Sequence, residues 1–247
     1  MNSSQTALAL IMLSASGLHA AGIALNFSEN DGNQSWLNTT DLIGPTNIPA
    51  GFFNTTNNPP GAAGLPVRSG SLAAGSLLGL VDSTGAVTTA SVVWNSANPY
   101  YNTSGTGTNQ ARLAVGYLDD GGSGASMTIS AIPYAIYDVY ILLGSDAGDN
   151  HISEVPRVNG VNVLPSDFPA FGNLTGSGGG WVEANGVTPG NYVVARGITG
   201  ASVTLAGQNV TANRIGITGF VINEVPEPSA ALMGLGALAG LTMRRRR

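Results

Sequence analysis

The sequence predicts an all-β protein whose body is one β-sandwich or barrel between two short apolar terminal segments. Runs of about five to nine apolar and β-branched residues recur along the body, and clusters of Gly, Asn and Asp separate them. No segment carries a helical period over a useful length. About eight to ten short strands with this turn spacing are typical of two packed antiparallel sheets or a closed barrel.

The first strand is predicted at residues 23–27, where apolar and polar residues alternate at the start of the body. Residues 125–132 alternate in the same way, which predicts that Met127, Ile129 and Ala131 point into the core.

Residues 137–143 form the most apolar run of the body, and we expect this strand to lie at the centre of a sheet. Within residues 156–163 the pair Asn159-Gly160 favours a two-residue hairpin turn. The remaining strands are predicted at residues 86–94, 112–118, 191–196, 201–205 and 214–222.

The least regular part of the body is the stretch of residues 33–75, which contains five prolines and many Asn and Thr. We expect it to be a long ordered loop or an excursion that covers one face. A short helix is conceivable over residues 72–80, although Gly75 and Gly79 weaken it.

Composition limits the chemistry of the body. The chain has no cysteine, which excludes thiol catalysis, disulfide bonds and cysteine-based zinc sites, and His151 is the one histidine of the body. There is no lysine, and thirteen acidic residues against five arginines give residues 21–224 a formal charge of −8. Such a surface repels phosphate groups, so we expect no nucleic-acid partner.

The last 23 residues carry a distinct signal. The sequence Val225-Pro226-Glu227-Pro228 is followed by 15 uncharged, mostly apolar residues, 229–243. A helix of that length covers about 22 Å, which is marginal for a bilayer core of about 30 Å. Arginines at the end of such a helix stay on the cytoplasmic side of the membrane. We therefore expect the residues before Pro226 to lie on the outer side. The chain ends with Arg244, Arg245, Arg246 and Arg247.

The N-terminus indicates export. Residues 6–18 are a short apolar stretch, and the small residues that follow suit signal-peptide cleavage after Ala20 or Ala21. The first five residues contain no Lys or Arg, so the terminal amine is the only positive charge there. The predicted organisation is a signal peptide at 1–20, one β-domain at 21–224 and a C-terminal segment at 225–247.

This C-terminal segment resembles the sorting signal of PEP-CTERM proteins, which has the same three features in the same order. The resemblance implies a bacterial protein that inserts transiently in the inner membrane through its C-terminal helix. It also implies processing near the Pro-Glu-Pro triplet by an exosortase, a membrane transpeptidase, and a destination at the cell surface or outside the cell. The two prolines suit such cleavage because they keep the backbone extended and stop the helix from growing upstream.

The body is similar to a β-sandwich found in many proteins with this signal. The shared features include Trp94-Asn95 and the strand Tyr137-Asp138-Val139-Tyr140 followed by Gly144-Ser145-Asp146. The resemblance implies a jelly-roll-like β-sandwich related to carbohydrate-binding modules.

The loop of residues 144–151 is the first candidate ligand site. Asp146, Asp149 and Asn150 supply oxygen atoms that suit either Ca²⁺ or sugar hydroxyls, and Asp146 and Asp149 are the candidate metal ligands. A solvated turn whose Asp and Asn side chains cap their own backbone is the alternative explanation. No other cofactor is expected.

Trp94 and Asn95 are the second candidate, because a loop with aromatic and amide groups suits sugar recognition. Tyr100, Tyr101 and Trp181 could extend such a platform, although large aromatic side chains more often pack in the core. The acidic turn at residues 119–122 is explained by hairpin chemistry.

No motif fixes a catalytic geometry, and no catalytic residue is assigned. The sequence contains no Gly-x-Ser-x-Gly elbow, and its glycine-rich stretch lacks a phosphate-binding lysine. We expect a non-enzymatic surface or extracellular-matrix protein that binds extracellular polysaccharide. A secreted polysaccharide hydrolase and a purely structural matrix protein are the alternatives.

Overall fold

A computed structural model describes residues 21–27, 37, 41, 44–45, 53–56, 69–70, 73–101, 113, 116–119, 124–144, 155–164, 181–207 and 215–226. In this part of the chain the protein is all-β without a helix, and its strands form two sheets, consistent with a β-sandwich. No helix long and apolar enough to cross a membrane occurs among these residues. The predicted signal peptide and the tail from residue 227 lie outside them.

Within the described residues the first sheet has seven strands. Numbered along the chain, they are β1 (Gly22–Asn26), β2 (Asn54–Thr55), β6 (Asn98–Tyr101), β7 (Gly116–Asp119), β9 (Ile136–Leu143), β12 (Tyr192–Thr199) and β14 (Gly216–Glu224). Five of them lie side by side in the order β12-β9-β14-β1-β2, while β7 joins β14 and carries β6. All pairs are antiparallel except β1 with β2.

The second sheet also has seven strands among the described residues. They are β3 (Ser69–Gly70), β4 (Ala74–Leu78), β5 (Ser91–Ser96), β8 (Ala125–Ser130), β10 (Arg157–Val158), β11 (Val161–Asn162) and β13 (Ser202–Ala206). They lie side by side in the order β11-β10-β13-β8-β5-β4-β3. Every pair in this sheet is antiparallel.

The main core lies between the two sheets. Alternate residues of β8 and β5 are buried. Met127 faces Trp94 across the strand pair, and Ile129 faces Val92. Phe27 meets the Trp94 ring edge-on at a centroid distance of 5.6 Å, which joins the first sheet to the second. The first sheet contributes, among others, Ile23, Leu25, Val139, Ile141, Leu143, Ile217, Phe220 and Ile222.

The first sheet is buried on its other face as well. Ala24, Tyr140, Leu142 and Val221 form the floor of a second apolar cluster, and Phe53 packs with them. A strand that is covered on both sides needs apolar residues at consecutive positions rather than alternate ones. This explains the continuous apolar run that the sequence has in β9.

A buried amide fastens the edge of the first sheet to the chain that leads into the second. Asn54 donates from Nδ2 to the carbonyls of Ala24 and Val81, both at 2.8 Å, and its Oδ1 accepts from the Val81 amide at 2.8 Å. Asn54 is fully buried, so these bonds replace the hydrogen bonds that its amide makes with water in the unfolded chain.

Most predicted strands are confirmed. The strands expected at residues 23–27 and 125–132 are found at Gly22–Asn26 and Ala125–Ser130, and the apolar run becomes β9, which lies between β12 and β14. The predicted hairpin turn is confirmed too, because Asn159 and Gly160 both have positive φ, 51° and 80°, and join β10 to β11.

Three predictions need correction. The possible helix at residues 72–80 is instead the strand β4, which pairs with β5 because its Leu77 completes the core. Ala131 is exposed with φ of 53°, because the strand ends one residue earlier. The strand expected from residue 86 begins only at Ser91, since the Asp82 carboxylate accepts from the amides of Thr84 and Ala86 and holds a turn there.

We predict that Gly219→Ala strongly destabilises the fold. A Cβ at this position would lie 2.2 Å from the Leu25 carbonyl oxygen of the neighbouring strand, and a backbone atom cannot move aside as a side chain can. We expect a loss of about 3 kcal/mol or more in the free energy of unfolding, measured by urea denaturation.

The matched control for this substitution is Gly22→Ala, which lies in the same strand pair. Its Cβ would approach the Ile222 carbonyl only to 3.3 Å, so a small loss is expected. Equal losses in the two variants would contradict the close-approach explanation.

Candidate functional site

The structure separates the two predicted sugar-binding neighbours, Trp94 and Asn95. The Trp94 side chain is 2% exposed and packs in the core, so its ring offers no stacking surface to solvent. Asn95 points the other way and lines an open depression of about 520 Å³ on the outer face of the second sheet. That depression is lined by Ala74, Gly75, Ser76, Val93, Trp94, Asn95, Ser126, Met127 and Thr128.

The predicted ligand residues Asp146, Asp149 and Asn150 lie outside the described residues. Of this loop the structure describes the start, where the Gly144 amide donates to the Gly216 carbonyl at 3.1 Å. Among the described residues no three His, Asp or Glu side chains lie close enough to hold a metal ion. The Ca²⁺ prediction for Asp146 and Asp149 therefore stays a prediction.

Asp119, the first residue of the predicted acidic turn at residues 119–122, lies in a strand instead, and the rest of that turn lies outside the described residues. Asp119 is the last residue of β7 and is buried, and its backbone carbonyl accepts a hydrogen bond from the Ser96 hydroxyl. The Asn98 amide approaches the Asp119 carboxylate at 3.4 Å. A carboxylate enclosed in this way serves the pairing of β6 with β7 rather than a solvent-facing ligand.

The outer face of the first sheet carries a polar and aromatic group that the sequence did not single out. We call it the aromatic–ionic cluster and define it as Asp138, Tyr140, Trp181, Glu183, Tyr192 and Arg196. Four of its members lie on β9 and β12 and two on residues 181–185, at an edge of the sheet where, among the described residues, β12 has no further strand beside it along most of its length.

Three rings form the aromatic part of the cluster. Tyr192 lies between the other two, with its ring centroid 6.1 Å from that of Tyr140 and 6.1 Å from that of Trp181. The Trp181 ring meets Tyr192 at 64°, close to edge-on. Tyr140 and Tyr192 are buried, whereas Trp181 is half-buried and keeps part of its surface open to solvent.

The ionic part is a two-point contact between Arg196 and Glu183. The two terminal nitrogens of the guanidinium donate to the two carboxylate oxygens, each at 2.9 Å. These bonds raise the pKa of Arg196, whereas its partial burial acts in the opposite direction. Because both side chains are partly exposed, the pair orders the site more than it stabilises the fold.

A local irregularity places these groups together. The pairing of β12 with β9 shifts register between Ala195 and Ile198, and Gly197 takes a positive φ of 67° in the bulge. The Gly197 amide donates to the Asp138 carboxylate at 2.8 Å. The bulge thus brings Arg196 and Asp138 to the same part of the sheet surface.

A second irregular segment supplies the other two members. Residues 181–185 run beside the start of β12, where Glu183 bridges to Tyr192 in parallel and the Ala184 amide donates to the Tyr192 carbonyl at 2.8 Å. The Val182 amide donates to the Asn191 side chain at 3.0 Å. These bonds hold Trp181 and Glu183 beside β12.

Of the six cluster residues, only Trp181 was predicted from the sequence as part of a sugar-binding platform. The signal for the others was present but weak, because Asp138 and Tyr140 alternate with inward-facing Tyr137 and Val139 on the strand of the shared motif. Alternation shows that Asp138 and Tyr140 share a face, and the pairing with β12 could not be deduced from it.

Comparisons with known proteins add no identity: no family model, no curated protein and no solved structure matches the chain.

We predict that the protein loses stability at alkaline pH through its buried phenols. Burial raises the pKa of Tyr134, Tyr137, Tyr140 and Tyr192, because the charged phenolate is poorly solvated inside the fold. At neutral pH the phenols are protonated in both the folded and the unfolded chain, so their burial costs no stability there. Above about pH 10 the unfolded chain loses these protons first, and the free energy of unfolding falls as pH rises.

Absorbance at 295 nm follows phenolate formation and checks this expectation. The folded protein should ionise fewer phenols near pH 10 than the same protein in concentrated urea, and the rest should ionise together with unfolding. Complete ionisation of all seven tyrosines near pH 10 with the fold intact would contradict the burial argument.

Proposed function

We propose that this is an exported bacterial surface or extracellular-matrix protein that is sorted by its C-terminal segment. The junction between the β-domain and that segment supports the proposal. β14 ends at Glu224, the Val225 amide makes one last bond to the Ile136 carbonyl at 2.9 Å, and Pro226 is exposed. The Pro-Glu-Pro triplet thus begins where the sheet ends, and its first residue, Pro226, is open to solvent.

For the body we propose a non-enzymatic, jelly-roll-like module that binds neutral glycan at the aromatic–ionic cluster. The observation that carries this is the half-open Trp181 ring beside the Arg196–Glu183 pair. An indole face stacks on the apolar face of a sugar ring, while a fixed guanidinium and carboxylates exchange hydrogen bonds with its hydroxyls. The acidic body favours a neutral polymer over an anionic one.

Two alternatives remain in other classes. Asp138 and Glu183 in one cluster keep a polysaccharide hydrolase open, since glycoside hydrolysis uses two carboxyl groups. Against it, both Glu183 oxygens are engaged by Arg196, and one Asp138 oxygen accepts from the Gly197 amide. A purely structural matrix protein would bind no glycan at all.

We predict that Trp181→Ala weakens glycan binding at least about tenfold, because the stacking surface is lost. The exported protein is screened on a glycan array with and without Ca²⁺, and the affinity for the best neutral glycan is then measured by calorimetry. Arg196→Gln should weaken binding as well, without removing an aromatic ring. A melting curve of each variant shows whether the fold is intact.

The matched pair of controls is Val93→Arg and Val161→Arg, both at exposed valines on strands of the second sheet. Val93→Arg fills the depression beside Asn95, and Val161→Arg does not. Loss of binding in Val93→Arg alone would move the site to that depression. Binding that requires Ca²⁺ would favour Asp146 and Asp149. Absence of any binding would favour the structural protein, and release of reducing sugar would favour the hydrolase.

We also predict that the protein outside the cell has lost its C-terminus. Processing near residues 225–228 removes the apolar segment and Arg244–Arg247, which intact-mass measurement detects directly. Replacing Pro226 and Pro228 together by Ala should leave the precursor in the membrane fraction. An extracellular protein that still ends in four arginines would refute the sorting proposal.

A further inference from the structure

The two ends of the β-domain lie against each other. β1 and β14 are antiparallel neighbours in which Gly22 faces Asn223. Beyond that pair, the Glu224 amide donates to the Ala21 carbonyl at 2.9 Å, and the Ala21 amide approaches Oε2 of Glu224 at 3.4 Å. The backbone nitrogen of Ala21 therefore points at a carboxylate that is the last charged group before Pro226.

This corner of the molecule is rich in acidic groups. Ile23 bridges to Asp82, and next to it the Ser83 amide donates to the Gly22 carbonyl at 2.7 Å. Tyr134 is also close, because after burial the charges of Asp82 and Glu224 are what raise its pKa. Within the described residues, no arginine forms an ion pair with Asp82 or Glu224; the ion pair found there joins Arg196 to Glu183.

The Tyr134 hydroxyl is further evidence that a positively charged group is missing from this corner of the described structure. It is buried and has no hydrogen-bond partner in this part of the chain, which is uncommon for a phenol that is enclosed. Among the described residues, two carboxylates and a phenol lie here with no cation paired to them, and such an environment favours a positive charge. The body contains no lysine that could supply it, and its five arginines are few.

We propose that signal cleavage occurs between Ala20 and Ala21, and that the new α-ammonium group of Ala21 is held by the Glu224 carboxylate. Hydrolysis breaks the bond between the Ala20 carbonyl carbon and the Ala21 nitrogen. Water supplies the hydroxyl of the Ala20 carboxyl group and a hydrogen of the Ala21 amine, which is protonated at neutral pH. The donor of the bond to the Glu224 carboxylate thereby changes from a neutral amide to a positively charged ammonium group.

The sequence alone permits cleavage after Ala20 or after Ala21, and the structure distinguishes them. Cleavage after Ala21 would remove both atoms that bond to Glu224, the Ala21 nitrogen and the Ala21 carbonyl oxygen. Cleavage further upstream would leave the amine on a flanking residue and Ala21 as an ordinary amide. A chain that starts at Ala21 carries its charge on the nitrogen that lies 3.4 Å from Oε2 of Glu224.

The first experiment identifies the N-terminal peptide of the exported protein by mass spectrometry. The inference rests on the proposed export, and the result distinguishes their failures. A chain that starts at Ala21 supports both. A chain that starts at Gly22 or upstream of Ala21 but after residue 15 overturns this inference and leaves export intact. A chain that still starts at Met1 overturns export as well.

The second experiment measures the charge contact itself. Because the chain has no lysine, an amine-specific reagent labels the N-terminus alone, and the labelling rate as a function of pH gives the pKa of that one amine. We expect it to lie above the ordinary range of about 7.7–8.0, and Glu224→Gln to lower it by about 0.5 to 1 unit.

The matched control is Glu183→Gln, which removes an equal charge at the aromatic–ionic cluster and should leave the amine titration unchanged. Glu224→Asp keeps the charge on a shorter side chain and should give an intermediate value, which also covers the case in which Glu224→Gln is not exported. The same amine pKa in wild type, Glu224→Gln and Glu224→Asp would overturn the contact.

Discussion

The pairing of β9 with β14 is the interaction on which the rest of the structure depends. Both strands lie inside the first sheet and are buried on both faces. Their side chains therefore alternate between the main core and the second apolar cluster on the other face of the sheet. β1 attaches to one side of this pair and β12 to the other. With no cysteine to staple the domain, this buried unit has to supply the stability through area and close packing.

That dependence explains where the sequence was informative. Period-two alternation located β8 and the core positions Met127 and Ile129, because one face of that strand is buried and apolar and the other is not. Turn chemistry located the Asn159-Gly160 hairpin, because positive φ at both positions suits few residue pairs. Both signals are local, and local signals survive without knowledge of the partner strands.

The candidate sites could not be predicted with equal success, because they depend on strand orientation and pairing between distant segments. In Ser91–Ser96 both Val92 and Val93 are apolar, so the sequence leaves open which parity faces inward; the fold buries Val92 and Trp94 and exposes Asn95. The aromatic–ionic cluster joins β9 to residues 181–196 through a bulge that no local sequence pattern predicts. The cluster is thus a product of tertiary pairing.

One geometric relation connects the proposed tail with the proposed binding surface. Asp138 of the cluster faces Asn223 across the β9–β14 pair, and Tyr137 faces Glu224, immediately before the tail leaves the domain. The acidic end of the cluster is therefore at the same end of the first sheet as Ala21 and Pro226. A domain held at the membrane by its tail would keep this end close to the bilayer, where a polymer has least room to approach. Under the sorting proposal, cleavage would both release the protein and open the approach to its binding surface.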